Sequence, residues 1–166
     1  ATEVASLGAD CPFFIYNTPC FAEGIGDILT PIDLDLKGVR IVMIKPDEGV
    51  STREAYSGIT KHPEVAGQIK SVLCQAKPVC TLLGEAGLFI NDFEATVFPH
   101  HPIIAYIKKR LLDAGAFYAS MSGSGSTVFG LFKNDPKGGT DAHLAALKKE
   151  FASMVLLDDT FGEWKA

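Results

Sequence analysis

Residues 117–132 limit the folds open to this chain more than any other stretch. Two apolar runs, 117–121 and 128–132, flank residues 122–126, which are only serine and glycine and are called the Gly/Ser loop below. Short apolar runs around a glycine-containing loop are typical of a β-hairpin. Glycine also reaches positive φ at little steric cost, and consecutive backbone amides can then converge on an anion. The stretch therefore predicts two buried strands joined by a loop that either binds a phosphate or is an ordinary turn.

The Gly/Ser loop matches neither of two common phosphate-binding motifs. A Walker-type loop needs Gly-Lys-Ser or Gly-Lys-Thr at the start of a helix, and this loop contains no lysine. A dinucleotide-binding fingerprint needs a third glycine followed by a helix, whereas the run from Val128 has the pattern of a strand. The loop alone leaves both the phosphate-binding and the simple hairpin interpretation open.

The composition is typical of a globular chain, and the net charge limits the kinds of molecule that the chain is expected to bind. With 166 residues, the chain suits one domain, or one domain with a fragment of another. A net charge of −5 argues against nucleic acid as the main partner. No apolar run approaches the length needed to span a membrane. The sequence starts without methionine, which we take as a sign that it begins inside a longer protein.

The cysteines indicate a reducing compartment, and no metal site is predicted. They show no CxxC pair and no spacing to histidine suited to zinc. Scattered thiols of this kind fit the cytoplasm, where they act as small buried apolar side chains. His100 and His101 are adjacent and so do not share a helix face, and we assign no metal ligands to them. The four cysteines are Cys11, Cys20, Cys74 and Cys80.

From residue 39 onward, the apolar patterns predict the order strand, helices, strand, strand, helix, strand. The run 39–44 reads as a buried strand, and residues 103–114 give the clearest amphipathic helix. Residues 141–152 give another helix before a short strand at 155–157. This order is that of the split βαβ, or ferredoxin-like, α+β fold, with helices on one face of an antiparallel sheet.

The N-terminal part has a different character. Short strands broken by glycine and proline are predicted at 20–26 and 28–32, and the apolar run 13–16 is predicted as a further strand. A polar connection at 33–38 separates these strands from the buried strand that follows. A domain boundary is therefore expected near this connection.

Two polar features lie beside predicted elements. Asp10 precedes a proline-led apolar run, so it is either a turn or cap residue or a carboxylate aimed across a cleft. Ser51 and Glu54 have the spacing of a capping box, in which each side chain bonds the other residue's exposed backbone N–H. The helix that they start would run through Tyr56, which on pattern alone is a core or rim aromatic.

Three segments occur together in an order that points to one group of enzymes. They are Leu-Gly-Ala-Asp-Cys-Pro-Phe-Phe at 7–14, Asn-Asp-Phe-Glu at 91–94, and Met-Ser-Gly-Ser-Gly-Ser-Thr-Val-Phe at 121–129. Together they resemble the galactose, homoserine, mevalonate and phosphomevalonate kinase superfamily. More narrowly, the first two resemble the family that phosphorylates 4-diphosphocytidyl-2-C-methyl-D-erythritol in the non-mevalonate isoprenoid pathway. Without the resemblance, Asn91 and Asp92 are simply polar residues at a helix end.

The resemblance implies an ATP-dependent phosphotransferase that uses Mg²⁺ and transfers the γ-phosphoryl group to the 2-hydroxyl of that substrate. Asp10 matches the catalytic aspartate of the family, which accepts or orients the hydroxyl proton. Gly123, Ser124 and Gly125 match the motif whose amides line the cleft near phosphates. The implied partners are ATP and a small cytidine diphosphate substrate, without nucleic acid or membrane.

The resemblance also implies a substrate-binding segment and a division of the chain. Thr52 and Tyr56 fall where the cytidine-binding segment of the family lies, and an aromatic ring there would stack on the pyrimidine, a contact worth about 1–3 kcal/mol. Residues 1–34 would be the trailing segment of the N-terminal ATP-binding domain, and residues 35–166 the C-terminal substrate-side domain. The family's main ATP-phosphate loop and early lysine are absent, as are the histidine and tyrosine of its substrate site. We therefore expect the 166-residue chain alone to be inactive.

Two other functions stay open on the sequence. One is another small-alcohol kinase of the same superfamily, acting on homoserine or mevalonate. The other is a ligand-binding or regulatory split βαβ module without catalysis, because this architecture hosts many functions. In that second case, Asp10 is a turn residue and the Gly/Ser loop binds a ligand or nothing.

Overall fold

The computed structural model describes residues 8, 11–59, 63–73, 79–84, 88–133 and 139–162 of the 166 in the sequence. Within these residues, the first three strands precede a run of five helices, and the other three strands follow it. The strands are β1 (Cys20–Glu23), β2 (Ile28–Pro31), β3 (Arg40–Lys45), β4 (Tyr118–Met121), β5 (Val128–Phe132) and β6 (Val155–Thr160). The helices are α1 (Cys11–Tyr16), α2 (Thr52–Ser57), α3 (Pro63–Leu73), α4 (Val79–Gly84), α5 (Phe93–Val97), α6 (Pro102–Asp113) and α7 (Gly139–Glu150).

The N-terminal part contains a helix and a small hairpin. β1 and β2 form a two-stranded antiparallel sheet, which confirms the two short strands predicted there. The run 13–16, predicted as a strand, instead lies in α1, so that prediction was wrong. The N–H of Asn17 donates to the carbonyl of Phe13 over 2.9 Å. Pro12 is tolerated because it lies in the first turn, where no intrahelical N–H is required.

The larger sheet has the strand order β4-β5-β3-β6, and each neighbouring pair is antiparallel. β3 and β4 are therefore parallel to each other with β5 between them, which is the arrangement of a split βαβ unit. This confirms the predicted α+β fold with an antiparallel sheet. Ile44 lies opposite Val128, so the C-terminal end of β3 and the Gly/Ser loop are at the same end of the sheet.

One face of the larger sheet carries the main apolar core. Helix α6 packs on this face through Ile104, Ile107 and Leu111, which are fully buried, and α7 contributes Leu144 and Leu147. Their partners in the sheet include Val42, Ile44, Ala119, Met121, Val128 and Phe132. The predicted helix at 103–114 thus forms almost as expected, and its apolar stripe is the side that packs on the strands.

A smaller apolar cluster lies on the opposite face of β5. Leu131 is buried there with Val39 and with Val79, the first residue of α4. Side chains alternate between faces along a strand, so successive residues of β5 contribute to the two clusters. The prediction of helices on one face describes α6 and α7, while α4 contributes to the second cluster. None of the described helices is long and apolar enough to cross a membrane.

Candidate functional site

The Gly/Ser loop joins β4 to β5 as a tight, internally bonded turn. Gly123 and Gly125 adopt positive φ, +53° and +93°, which is the conformation that glycine reaches without strain. The N–H of Ser122 donates to the carbonyl of Thr127 over 2.8 Å, and the N–H of Gly125 donates to the carbonyl of Ser122 over 3.0 Å. The sequence predicts that Gly123, Ser124 and Gly125 present backbone amides to a phosphate. In the structure, the N–H of Gly125 is instead bonded inside the loop.

Asn91 holds the first part of this loop through its side-chain amide. Its Nδ2 donates to the carbonyl oxygens of Met121 and Gly123, each over 2.7 Å. Its Oδ1 accepts the backbone N–H of Phe93 over 3.0 Å, which starts α5. The side chain thus uses its donor and acceptor atoms at once, and the direction of the amide is set because carbonyls only accept and an N–H only donates.

Glu94 supports the same strand end from the next turn of the chain. Its Oε1 accepts the backbone N–H of Met121 over 2.8 Å and the hydroxyl of Ser120 over 3.2 Å. Its Oε2 pairs with Lys108, so the carboxylate, only 12% exposed, has a counter-ion. The ammonium group of Lys108 turns toward Glu94, and the lysine side chain is only partly exposed. The spacing of Asn91 and Glu94 was the available signal for a shared role.

Helix α2 lies beside the Gly/Ser loop and carries the two predicted substrate residues. A Cβ atom placed on Gly125 would lie 3.4 Å from Cγ2 of Val50, so the segment before the helix contacts the loop. Thr52 is exposed at the first position of α2. The ring of Tyr56 is edge-on to Phe93, with centroids 4.8 Å apart and planes at 74°, and the residue stays 63% exposed. Tyr56 is thus a rim aromatic with a free surface.

The structure brings together two of the three sequence segments that carry the resemblance. Residues 91–94 contact the Gly/Ser loop through hydrogen bonds; Val50, just before α2, lies against the loop, and Tyr56 of α2 packs on Phe93. Asp10, the predicted catalytic residue, lies outside the described residues. Its place relative to the loop therefore stays a prediction.

The capping box predicted at the start of α2 does not form. Ser51 is the N-cap residue, but its side chain makes no capping hydrogen bond. Glu54 instead faces Nε2 of His101 over 3.3 Å, while Nδ1 of His101 bonds Glu48 over 2.6 Å. The bond to Glu48 is the main cause that raises the pKa of His101 above its ordinary value. His101, at the start of α6, therefore bridges the two carboxylates that flank the beginning of α2.

Metal ligation finds no support in the part of the chain that the structure describes. No group of three or more histidine, cysteine, aspartate or glutamate side chains there is arranged to hold a metal ion. Of the two adjacent histidines, His100 bonds the carbonyl of Thr96 over 3.0 Å and His101 bonds carboxylates. We therefore assign no Mg²⁺ ligands among the described residues.

Comparison with known proteins gives one consistent group. Residues 76–149 match the family described as GHMP kinases C terminal. The chain is 53% identical over 137 residues to 4-diphosphocytidyl-2-C-methyl-D-erythritol kinase of Bacteroides thetaiotaomicron, covering 81% of this chain and 46% of that protein. It is 52% identical over 134 residues to the Bacteroides fragilis protein of the same name, covering 80% of this chain and 46% of that protein. The chain thus spans about half the length of the curated relatives it matches.

A solved structure matches the fold over nearly the whole chain. The crystal structure of 4-(cytidine 5'-diphospho)-2C-methyl-D-erythritol kinase superposes with a TM-score of 0.67 at 26% sequence identity. The match covers 98% of this chain and 56% of that one. The sequence and the structure comparisons each match this chain to about half the length of a longer protein.

Proposed function

Because residues 76–149 match the family of GHMP kinase C-terminal domains, we propose that this chain is the C-terminal part of an ATP-dependent kinase. The acceptor in this proposal is 4-diphosphocytidyl-2-C-methyl-D-erythritol, phosphorylated at its 2-hydroxyl as a step toward isoprenoid precursors. The observation that carries the proposal is the identity of 52% and 53% to two curated relatives with that name. No comparable observation favours homoserine, mevalonate or a non-catalytic role.

In the proposed reaction, Asp10 is the base. Its carboxylate accepts the proton of the substrate hydroxyl while the hydroxyl oxygen forms a bond to the γ-phosphorus of ATP. The bond between that phosphorus and the bridging oxygen breaks, and ADP leaves. Such a transfer depends mainly on positioning and on donors that meet the phosphoryl oxygens, which is the role proposed for the Gly/Ser loop.

The amides of Gly123 and Ser124 are the donors that we assign to the phosphate side of the cleft. Gly125 is part of the same motif, but its N–H already donates to Ser122. We assign Gly125 a conformational role, since its φ of +93° lets the loop close. A Cβ atom there would also lie 2.8 Å from Sδ of Met121. The sequence motif implies one role for all three residues, whereas this proposal gives phosphate contacts to Gly123 and Ser124 and a conformational role to Gly125.

Thr52 and Tyr56 form the proposed cytidine side of the site. Tyr56 is held edge-on by Phe93 and keeps one surface exposed, which is the arrangement that a stacking platform needs. A pyrimidine ring on a tyrosine gains about 1–3 kcal/mol in comparable complexes. Thr52, exposed at the start of the same helix, is close enough in sequence to contact the same nucleotide.

ATP is the proposed phosphoryl donor, with Mg²⁺ as its counter-ion. Mg²⁺ supplies charge neutralisation for the phosphates when it is bound. We assign it no protein ligand among the described residues. A cytoplasmic location belongs to the same proposal, since scattered cysteines fit a reducing compartment.

We also propose that residues 1–34 belong to the preceding ATP-binding domain and residues 35–166 to the substrate-side domain. Large apolar side chains are exposed in the first of these parts, among them Phe14 at 75%, Ile15 at 60% and Ile25 at 81%. Exposed apolar patches larger than a few hundred Å² usually mark an interface, and these side chains are the candidates for one. The N-terminal half of a longer kinase would cover it.

The experiment that tests the proposed function is replacement of Asp10 in the full-length enzyme. We expect Asp10→Asn to lower turnover by roughly 100-fold to 10,000-fold, the usual contribution of a general base, with little change in substrate binding. The matched control is Asp159→Asn, since Asp159 is exposed on β6, which β5 and β3 separate from β4. Unchanged turnover in Asp10→Asn would remove Asp10 from the chemistry.

The 166-residue chain alone should show no turnover, and appreciable phosphorylation by it would contradict the proposed division of the site.

A further inference from the structure

The segment 91–94 contacts both proposed sides of the site but takes no direct part in the proposed reaction. It bonds the Gly/Ser loop through Asn91 and Glu94, and it packs on Tyr56 through Phe93. We propose that Asn91 is a positioning residue that aims the Ser124 amide at the transferred phosphoryl group, with Glu94 fixing the strand from which the loop starts. This inference rests on the proposed function for its substrate.

The geometry of the peptide unit makes the role of Asn91 specific. In a trans peptide, the carbonyl of one residue and the N–H of the next point in opposite directions. The peptide between Gly123 and Ser124 is trans, and its carbonyl is held on Nδ2 of Asn91 at 2.7 Å. The N–H of Ser124 must therefore point away from Asn91.

The neighbouring peptide shows the same relation with both ends observed. The carbonyl of Met121 is the second acceptor of Asn91 Nδ2, also at 2.7 Å. On the opposite side of that peptide, the N–H of Ser122 donates to the carbonyl of Thr127. One side-chain amide thus fixes two peptide planes, one that closes the loop and one that directs the N–H of Ser124 outward.

Glu94 holds the end of strand β4, from which the Gly/Ser loop departs. Among the described strands, β4 lies at the edge of the larger sheet, and none of them pairs with its outer side. The carboxylate of Glu94 takes the place of such a strand at Met121 by accepting its N–H over 2.8 Å. A charge-assisted bond of this kind is stronger than a neutral one, and Lys108 balances the charge. The strand end from which the Gly/Ser loop departs is thereby held in place.

Phe93 connects this support to the nucleotide side. Its ring lies against Tyr56 with centroids 4.8 Å apart, and its backbone N–H is the group bonded by Oδ1 of Asn91. The segment 91–94 therefore supports both the phosphate side and the cytidine side of the proposed site. A change at Asn91 that spares this N–H bond should disturb the phosphate side alone.

Asn91→Asp is such a change, and it is the variant that tests the proposal in the full-length enzyme. Aspartate keeps an acceptor for the N–H of Phe93 but loses the donor to Met121 and Gly123. We expect kcat to fall at least about tenfold, since small misplacements of reacting groups cost up to about 100-fold. The KM for the cytidine substrate should stay near the wild-type value, because Tyr56 keeps its support. Asp92→Asn is the matched control, since Asp92 is exposed and its side chain makes no cap hydrogen bond.

A second pair of variants keeps the test decisive if Asn91→Asp folds poorly. Glu94→Ala should lower kcat, and Glu94→Gln should restore much of it, because glutamine keeps an oxygen for the N–H of Met121. Wild-type kcat in Asn91→Asp, or a loss in both Asn91→Asp and Glu94→Ala that only follows the fraction of unfolded protein, would overturn the positioning role.

Amide hydrogen exchange separates a failure of this inference from a failure of the proposed function. In Asn91→Asp, the amides of Ser122 and Gly125 should exchange faster than in wild type by a larger factor than the amides of the core strand β5. If wild-type enzyme does not phosphorylate the cytidine substrate but this exchange difference appears, the substrate proposal fails and the loop support stands. If wild-type enzyme is active and exchange in the loop is unchanged, the inference about Asn91 fails.

Discussion

At the scale of single residues, the site is held by side chains that bond the backbone. Asn91 bonds two loop carbonyls, and Glu94 bonds a strand N–H. The sequence motif gave the identity and spacing of these residues but not their partners, because a hydrogen bond across about 30 positions depends on how the strands pair. The role of Gly125 was likewise only half predictable. Its conformational freedom follows from residue type, whereas the use of its amide within the loop does not.

His101 gives a residue-scale prediction about pH. Its pKa is raised in the folded protein, mainly by the bond to Glu48, above the ordinary value of about 6.5. The protonated ring is therefore favoured by folding, and its stabilising contribution is full below about pH 6.5 and is lost as pH rises through the folded-state pKa. We expect the free energy of unfolding of wild type, relative to His101→Gln, to decrease over this range. Denaturant titrations at several pH values measure this difference.

The control for that prediction is the neighbouring histidine. Among the described residues, the exposed ring of His100 bonds a backbone carbonyl and no carboxylate, so His100→Gln should keep the pH dependence of wild type. A constant stability difference between wild type and His101→Gln at every pH would contradict the proposed bridge between His101 and the carboxylates of Glu48 and Glu54.

Tyr56 gives a second residue-scale prediction, about substrate binding in the full-length enzyme. If the ring stacks on cytidine, Tyr56→Ala loses about 1–3 kcal/mol, and the KM for the cytidine substrate should rise roughly 5-fold to 150-fold. Tyr56→Phe keeps the ring and its edge-on contact with Phe93, so its KM should stay near wild type. Steady-state kinetics with saturating ATP measures both values. Equal KM values for wild type and Tyr56→Ala would exclude stacking.

At the scale of elements, the helix α6 and the strand β5 form the most predictable part of the fold. The period of Ile104, Ile107 and Leu111 predicted a helix with one buried face, and that face is buried completely. α1 was mispredicted because its apolar run of 13–16 is too short to distinguish a helix from a strand by periodicity. The capping box failed for another reason, since Glu54 faces a histidine that is 47 positions away in sequence.

Gly130 gives an element-scale prediction about the contact between α6 and β5. A Cβ atom there would lie 3.1 Å and 3.2 Å from side-chain atoms of Leu111 and 3.2 Å from the ring of Phe132, so an added methyl group would contact the helix and the ring more tightly than is usual. We expect Gly130→Ala to reduce the free energy of unfolding by about 1–3 kcal/mol, the usual cost of overpacking a core. Chemical denaturation followed by circular dichroism measures it.

The matched control changes a glycine without neighbours. Gly67 lies inside α3, and a Cβ atom there would meet nothing within 4 Å. Gly67→Ala should raise stability by about 0.5–1 kcal/mol, because alanine loses less conformational freedom in a helix. Opposite signs for the two substitutions are the expected result, and a neutral Gly130→Ala would contradict the close packing of α6 on β5.

At the scale of the whole molecule, the split βαβ order places the site at one end of the sheet. The order of predicted elements was enough to identify this class, since the strand order β4-β5-β3-β6 follows from it once chain connections are right-handed. The substrate was not predictable from the pattern of elements and came only from the family resemblance. The position of Asp10 relative to the Gly/Ser loop stays a prediction, because Asp10 lies outside the described residues.

The central claim is that this chain belongs to a kinase that acts on a cytidine diphosphate alcohol. It is tested most directly by giving the full-length enzyme ATP with 4-diphosphocytidyl-2-C-methyl-D-erythritol, homoserine or mevalonate in parallel, and measuring each phosphorylated product by mass spectrometry. We expect phosphorylation of the cytidine substrate alone at an appreciable rate, and loss of that product in Asp10→Asn. Faster phosphorylation of homoserine or mevalonate, or no phosphorylation of the cytidine substrate, would contradict the claim.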